Sequence, residues 1–189
     1  MKKKLFVAAL FVAMVAGVSA QNYNYSVGGT VGSMYGASFK GFFLPIDKLG
    51  LQVDLGVNLM STSVTTTVRS GGSKMTASGT WDGVYTFEVN PNLLYQDNIA
   101  SWGFGDLSWY AGGGLSIGFI DDIKNSGNPM FKWGLNAAGG LELGFAAVPL
   151  ALSFDFRPGY GMGVNSSNGV SSVSSFFDWK LVAGLRYIF

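Results

Sequence analysis

The sequence predicts an all-β chain, in which eight antiparallel strands form an up-and-down transmembrane β-barrel with both termini periplasmic. Three observations predict this fold. Apolar and polar residues alternate with a period of two through most of the chain, and successive side chains of a strand point to opposite faces. The apolar face is bulky and aromatic, whereas the other face carries glycines and balanced charges. No stretch after residue 20 is long and apolar enough for a membrane-spanning helix.

Residues 1–20 have the organisation of a secretory signal peptide. A short run of lysines precedes an apolar segment from Leu5 to Val15, and the small residues of "VSA" precede Gln21. The apolar segment is shorter than the ~20 residues that a spanning helix needs. We therefore predict that residues 1–20 are cleaved and that residues 21–189 form one outer-membrane barrel domain.

The composition excludes several classes of function. Without the three lysines of residues 1–20, 9 of the 12 Lys and Arg residues remain against 11 Asp and Glu, a net charge of −2 that gives no basic surface for nucleic acid. The chain has no His and no Cys. It therefore lacks the imidazole bases and thiol nucleophiles that small hydrolases use, as well as disulfides. We expect no enzyme activity, no catalytic residues and no cofactor.

The alternation of residues locates the strands one by one. In the third strand, Leu51, Val53 and Leu55 alternate with Gln52 and Asp54. The last strand, "FFDWKLVAGLRYIF", likewise has one fully apolar face and carries its three charges on the other. The eight predicted strands are 22–32, 35–44, 50–63, 80–95, 105–119, 131–145, 149–160 and 176–189.

The polar face indicates what the apolar face contacts. Its many glycines and few charges are unsuited to the hydrated outside of a soluble sandwich, but they fit the crowded interior of a narrow barrel whose apolar face contacts lipid. These charges are alternatively an acid–base pair or a proton path, but buried charges need partners and more often simply neutralise each other. The predicted interior polar network consists of Lys40, Asp54, Glu88, Lys132, Glu142, Asp155, Arg157, Asp178, Lys180 and Arg186.

The connections between strands differ on the two sides of the predicted barrel. The turns after strands two, four and six are mostly short ("LPIDKLG", "QDNIASWGF", "AAVP"), whereas most of the others are longer and rich in Ser, Thr, Asn and Gly. The short ones are expected in the periplasm and the long ones outside the cell. Residues 61–80 extend strands three and four into a hairpin around "SGGS". Because both flanking strands place odd residues outward, this hairpin requires an odd-length loop or one β-bulge. Pro91 and Pro158 are expected near rims or bulges.

One loop contains a candidate metal site. Asp121, Asp122 and Asn125 together resemble a partial set of Ca²⁺ ligands. Two carboxylates make an incomplete site, so we interpret the segment as a solvated loop and predict no metal.

The runs "LSWYAGGGLSIGFIDD", "FKWGLNAAGGLELGFAAVPLALSFDFRPGYG" and "WKLVAGLRYIF" resemble small eight-stranded outer-membrane barrels of the OmpX/OmpA-barrel type, closest to the versions found in Bacteroidetes. The resemblance covers essentially the whole chain after residue 20. It implies a location in the outer membrane of a Gram-negative cell. It also implies that Phe189, with Tyr187 two residues before it, belongs to the signal read by the barrel-insertion machinery. It implies no catalytic residues.

The expected function is structural or interactive. The expected partners are outer-membrane lipid, the insertion machinery and a host or cell-surface ligand that contacts the extracellular loops of a monomer. One alternative is a narrow, porin-like channel for small solutes or ions, although an eight-stranded barrel is only wide enough for side chains to fill. Another is a soluble lipocalin-like carrier, in which the apolar face lines a cavity.

Overall fold

The alternation of apolar and polar residues favours strands, and most of the described residues lie in strands. The computed structural model describes residues 23–44, 46, 48–70, 72–121, 130–167 and 170–189, apart from the side chains of 60–63, 70, 81–84, 121, 165–167 and 170–171. The predicted signal peptide therefore lies outside the described residues. The strands are β1 (Tyr25–Gly32), β2 (Met34–Gly41), β3 (Leu49–Ser70), β4 (Ser73–Trp102), β5 (Gly105–Asp121), β6 (Met130–Phe145), β7 (Leu150–Ser167) and β8 (Val170–Ile188).

The strands pair in a ring. Each pairs antiparallel with its sequence neighbours, and β1 also pairs with β8. A line of paired residues that leaves β8 at Asp178 returns to β8 at Ile188, ten residues further on (188 less 178). Such a stagger tilts the strands by about 40° from the barrel axis. The line passes through Asp178, Gly159, Asn136, Gly114, Asn92, Gln52, Lys40, Ser26 and Ile188.

The two faces of the ring are chemically opposite. On β8, Trp179 is 55% exposed and the adjacent Lys180 only 3%. The prediction of an all-β, antiparallel, barrel-like fold is confirmed. We use "apolar belt" for the exposed apolar side chains that encircle the ring, represented on β1 to β8 by Val27, Phe39, Leu55, Leu93, Leu115, Leu135, Phe154 and Leu185.

The longest strands extend past the β1–β2 hairpin, which ends at Ser33. Beyond that level β3 pairs directly with β8, from Ser63 opposite Phe177 to Arg69 opposite Ser171. We call this extension the protruding sheet. It consists of residues 73–82 of β4, 63–70 of β3, 170–177 of β8 and 162–167 of β7.

The β3–β4 hairpin contains the predicted bulge. Ser70 pairs with Ser73 across a two-residue turn, in which Gly72 has a φ of 86°, a conformation that glycine adopts without strain. The register shifts by one residue between Met60 and Ser61. The prediction of one irregularity is therefore confirmed, but the bulge lies ten residues from the turn.

The prediction for the two strand prolines is wrong. Pro91 pairs with Val53 and Pro158 with Trp179, both in mid-strand and away from any register shift. The ladder to the other neighbouring strand is interrupted at each proline: the β4–β5 ladder at Pro91 and the β6–β7 ladder at Pro158. The missing N–H of each proline therefore removes no pair with β3 or β8. Within the described part of the chain, no helix has the length and hydropathy of a membrane span.

Candidate functional site in the barrel interior

The interior of the ring contains the predicted polar network. All ten side chains are buried, each at most 6% exposed. Five are cations and five are carboxylates, so their formal charges cancel. Their ion pairs group them into three clusters, which we name terminal, central and sheet-side according to their position between the chain termini and the protruding sheet.

The terminal cluster is centred on Glu142 of β6. Arg186 Nη2 pairs with Glu142 Oε2, and Lys40 Nζ lies 3.1 Å from the same oxygen. Gln96 Nε2 donates to Glu142 Oε1 at 3.0 Å, and Tyr23 also donates its hydroxyl to that oxygen. Two cations share one carboxylate, so the cluster has a formal charge of +1.

The central cluster is centred on Arg157 of β7. Its Nη1 donates to Asp54 Oδ2 at 2.6 Å, while Nε and Nη2 both donate to Asp155 Oδ2, the former at 3.1 Å. Gln52 Nε2 donates to both oxygens of Asp54, at 3.2 and 3.0 Å. One guanidinium between two carboxylates gives a formal charge of −1, which offsets the excess of the terminal cluster.

The sheet-side cluster is centred on Glu88 of β4. Lys180 Nζ lies 2.6 Å from Glu88 Oε2, and Lys132 Nζ pairs with Glu88 Oε1. Asp178 Oδ2 lies 3.1 Å from Lys132 Nζ and 3.7 Å from Lys180 Nζ. Ser116 and Asn58 add hydrogen bonds to Glu88 at 3.1 and 3.3 Å. With two ammonium groups and two carboxylates, this cluster is neutral by itself.

An apolar cluster, which we call the apolar cap, lies in the interior on the side of the protruding sheet. Val64, Ile120 and Phe176 form a buried cluster, each at most 4% exposed, against which Met130 packs. Lys132 Nζ lies 4.9 Å from the centre of the Phe176 ring, so the cap directly covers the sheet-side cluster.

At the opposite end of the interior, the described residues line a cavity. It has a volume of about 480 Å³ and is lined by Tyr23, Asp106, Glu142, the turn 146–149 and the C-terminal residues Ile188 and Phe189. Burial raises the pKa of the Tyr23 hydroxyl well above 10.0, and the negative charge of Glu142 acts in the same direction. Tyr23 is therefore a neutral donor to the terminal cluster at the floor of this cavity.

Some interior polar atoms have no protein partner. Buried groups of this kind commonly bind ordered water. The interior therefore contains hydrogen-bonding atoms, between and beside the clusters, that no other described side chain pairs with. In the described residues they are Ser26 Oγ, Gln52 Oε1, Asn58 Oδ1, Asn90 Oδ1, Tyr110 Oη, Asn136 Oδ1, Ser153 Oγ, Asp155 Oδ1 and Arg186 Nε.

The predicted network did not include Gln96 and Tyr110, two neutral residues that contact its charges. Gln96 accepts a hydrogen bond from Lys40 Nζ at 2.5 Å, and the Tyr110 ring lies 4.1 Å from the same ammonium. Both residues occupy even positions: Gln96 shares the inner face of β4 with Glu88, and Tyr110 lies on the buried face of β5. The period of two could therefore have identified them.

The remaining sequence-predicted residues lie elsewhere. Asp122 and Asn125 of the candidate Ca²⁺ site, and the side chain of Asp121, lie outside the described residues. In the described part of the chain, no three Asp or Glu residues are arranged to hold a metal ion. Tyr187 and Phe189 are exposed at the end of β8, and the Phe189 ring stacks on Tyr25 at 5.9 Å.

Comparison with known proteins assigns no family to this chain. No family model matches the chain, and no curated protein matches it. Among solved structures, the crystal structure of Neisserial surface protein A (NspA) matches with 16% identity over 87% of this chain and 93% of that chain. Its TM-score is 0.44, which is too low to carry an argument.

Proposed function

We propose that the protein is an integral outer-membrane β-barrel of eight strands, closed and filled by its own side chains, that acts through the surface it presents outside the cell. It is an OmpX/OmpA-type barrel, exported by a cleaved signal peptide at residues 1–20, with Tyr187 and Phe189 recognised by the insertion machinery. The proposal assigns it no catalysis and no cofactor, and treats it as a monomer.

The observation that carries the proposal is the inverted distribution of polarity. The outside of the ring is apolar on all eight strands, whereas ten charged side chains are buried inside. In water the reverse arrangement is favoured, because exposed apolar area is costly and buried charge is costly. In lipid, exposed apolar side chains are favoured instead. A ring of strands also leaves no unpaired backbone edge facing the hydrocarbon. The inversion also argues against a lipocalin-like carrier, whose apolar face lines its cavity.

The two ends of the ring differ in a way that supports the proposed orientation. The end with both termini has the short connections 42–48, 103–104 and 146–149, and the backbones of Tyr25 and Phe189 bond to each other there. The other end has the protruding sheet. Short periplasmic turns and long extracellular segments are typical of outer-membrane barrels, which supports periplasmic termini.

A gel-based measurement tests the membrane assignment. In outer-membrane fractions, the folded barrel should migrate differently from the boiled chain, and the mature protein should begin at Gln21. Extraction of the whole population into aqueous buffer without detergent would contradict the proposal. A mature protein that retains residues 1–20 would contradict only the cleavage.

The alternative function is a narrow channel for small solutes or ions. The unpartnered polar atoms of the interior favour it, because they give water places to bind. The apolar cap opposes it, since Phe176 is only 1% exposed and its ring lies beside the sheet-side cluster. In planar bilayers we expect no stable openings. Openings whose conductance changes when Arg157 or Glu88 is neutralised would establish the channel instead.

A further inference from the structure

The end of the protruding sheet carries two cations on one face. Arg69 of β3 pairs directly with Lys74 of β4, and both side chains are exposed. Neither forms an ion pair within the described residues. Like charges directly opposite each other destabilise a sheet. The fold therefore gains nothing from this pair, whereas each of the five cations of the interior network lies beside a carboxylate.

The surface beside these cations is a ladder of hydroxyl groups. The cross-strand pairs nearer the barrel are Thr67 with Thr76, then Thr65 with Ser78, on the same face. The oxygens of each pair lie 3.2 Å apart. This face thus combines hydroxyl groups with two positive charges, and none of these six side chains is a carboxylate. Such a combination suits a saccharide that carries phosphate or carboxylate groups.

The height of Arg69 and Lys74 above the apolar belt indicates where a saccharide with phosphate or carboxylate groups would come from. Ser63 pairs with Phe177, an exposed aromatic residue at the edge of the belt, and Arg69 lies six residues further along β3 (69 less 63). At about 3.3 Å per residue and a tilt of about 40°, this separation raises Arg69 roughly 15 Å above the belt. A barrel in an outer membrane has the saccharides of outer-leaflet lipopolysaccharide at that height.

We infer that Arg69 and Lys74 bind anionic groups on the saccharide of the lipopolysaccharide that surrounds the barrel. Arg69 offers a planar fork that contacts phosphate or carboxylate through two hydrogen bonds, and Lys74 adds a point charge. The hydroxyl ladder contacts neighbouring sugar hydroxyls. This inference rests on the proposed outer-membrane location and specifies a partner for the exposed surface.

The test uses the full-length mature barrel in phosphatidylcholine nanodiscs, with purified lipopolysaccharide as the probe. The double variant Arg69→Gln/Lys74→Gln should bind about 25-fold more weakly, since a basic residue near an anionic membrane surface contributes about fivefold. The exchange variant Arg69→Lys/Lys74→Arg keeps both charges and should lose less. Chemically dephosphorylated lipopolysaccharide and a soluble sulfated polysaccharide should bind the unaltered protein more weakly than lipopolysaccharide does.

Two results would overturn the inference: equal binding of lipopolysaccharide by the unaltered protein and the double Gln variant, or tighter binding of the soluble polysaccharide than of lipopolysaccharide. Both leave the proposed function intact if the double variant still shows the heat-modifiable band in outer-membrane fractions. Absence of that band from the unaltered protein would instead overturn the proposed function itself.

Discussion

Arg157 of β7 and Asp54 of β3 meet across the interior, with Nη1 of the guanidinium 2.6 Å from Oδ2 of the carboxylate. The two residues lie on strands that do not pair with each other. Arg157 also binds Asp155 on its own strand. The contact therefore joins opposite walls of the ring, and it lets one guanidinium pair with two buried carboxylates.

Replacing Arg157 should strongly destabilise the barrel. Arg157→Ala leaves Asp54 and Asp155 buried without a cation, and breaking a buried ion pair costs about 3–5 kcal/mol. The measurement is urea unfolding in lipid vesicles, followed by tryptophan fluorescence. Arg157→Lys keeps the charge and should lose less. An Arg157→Ala midpoint equal to that of the unaltered protein would show that the central cluster contributes nothing to stability.

Within the sheet-side cluster, the two carboxylates should differ in their contribution. Glu88 pairs closely with both Lys132 and Lys180 and is fully buried, whereas Asp178 lies 3.1 Å from Lys132 but 3.7 Å from Lys180 and is 6% exposed. Glu88→Gln should therefore lower the free energy of unfolding by about 3–5 kcal/mol, and Asp178→Asn by less. The same unfolding assay ranks them. The reverse order would mean that Asp178 is the main counter-charge of the two lysines.

The period of two predicted which charged residues lie inside but not which of them pair. Alternation is local, so Asp54, Glu88 and Arg157 could be assigned to the inner face from a few neighbouring residues. Pairing depends on the stagger of the whole ring, and Arg157 and Asp54 are separated by 103 residues. No local pattern contains that information.

The sequence predicts only part of the protruding sheet, because local alternation contains no information about pairing between distant strands. Hydroxyl-rich alternation indicated that β3 and β4 continue past the belt. The pairing of β3 with β8 depends instead on the early end of the β1–β2 hairpin at Ser33, which brings two distant strands into contact. The bulge beyond Met60 was required by parity, but parity alone did not fix its position.

Truncation of Phe176, in the apolar cap, should destabilise the barrel more than truncation of the adjacent Phe177. Phe176 is buried against Val64 and Ile120, whereas Phe177 is 54% exposed on the other face of β8. Truncation of a buried phenylalanine costs about 3–5 kcal/mol. Phe176→Ala should therefore unfold at clearly lower urea than Phe177→Ala, which serves as the matched control. Equal midpoints would mean that the cap does not stabilise the barrel.

The C-terminal aromatic residue should affect assembly more than stability. Under the proposed function, Phe189→Ala weakens recognition by the insertion machinery, and less heat-modifiable protein accumulates in the outer membrane. Refolding of the purified variant into detergent micelles bypasses that machinery and should proceed as for the unaltered protein. The exposed Tyr35→Ala, at the other end of the barrel, is the control. Normal accumulation of Phe189→Ala would separate this residue from the insertion signal.

A charge placed in the apolar belt distinguishes a lipid-facing surface from a water-facing one. Phe154 is 57% exposed, between Leu141 of β6 and Ala183 of β8. Facing lipid near the bilayer centre, Phe154→Arg should destabilise the barrel by about 2–4 kcal/mol, measured by unfolding from lipid vesicles. Facing water, the same exposed substitution should change stability by no more than about 0.5 kcal/mol. Ser78→Arg, on the protruding sheet, is the matched control and should be tolerated. A tolerated Phe154→Arg would therefore contradict the membrane assignment, because only hydrocarbon penalises an exposed arginine to that extent.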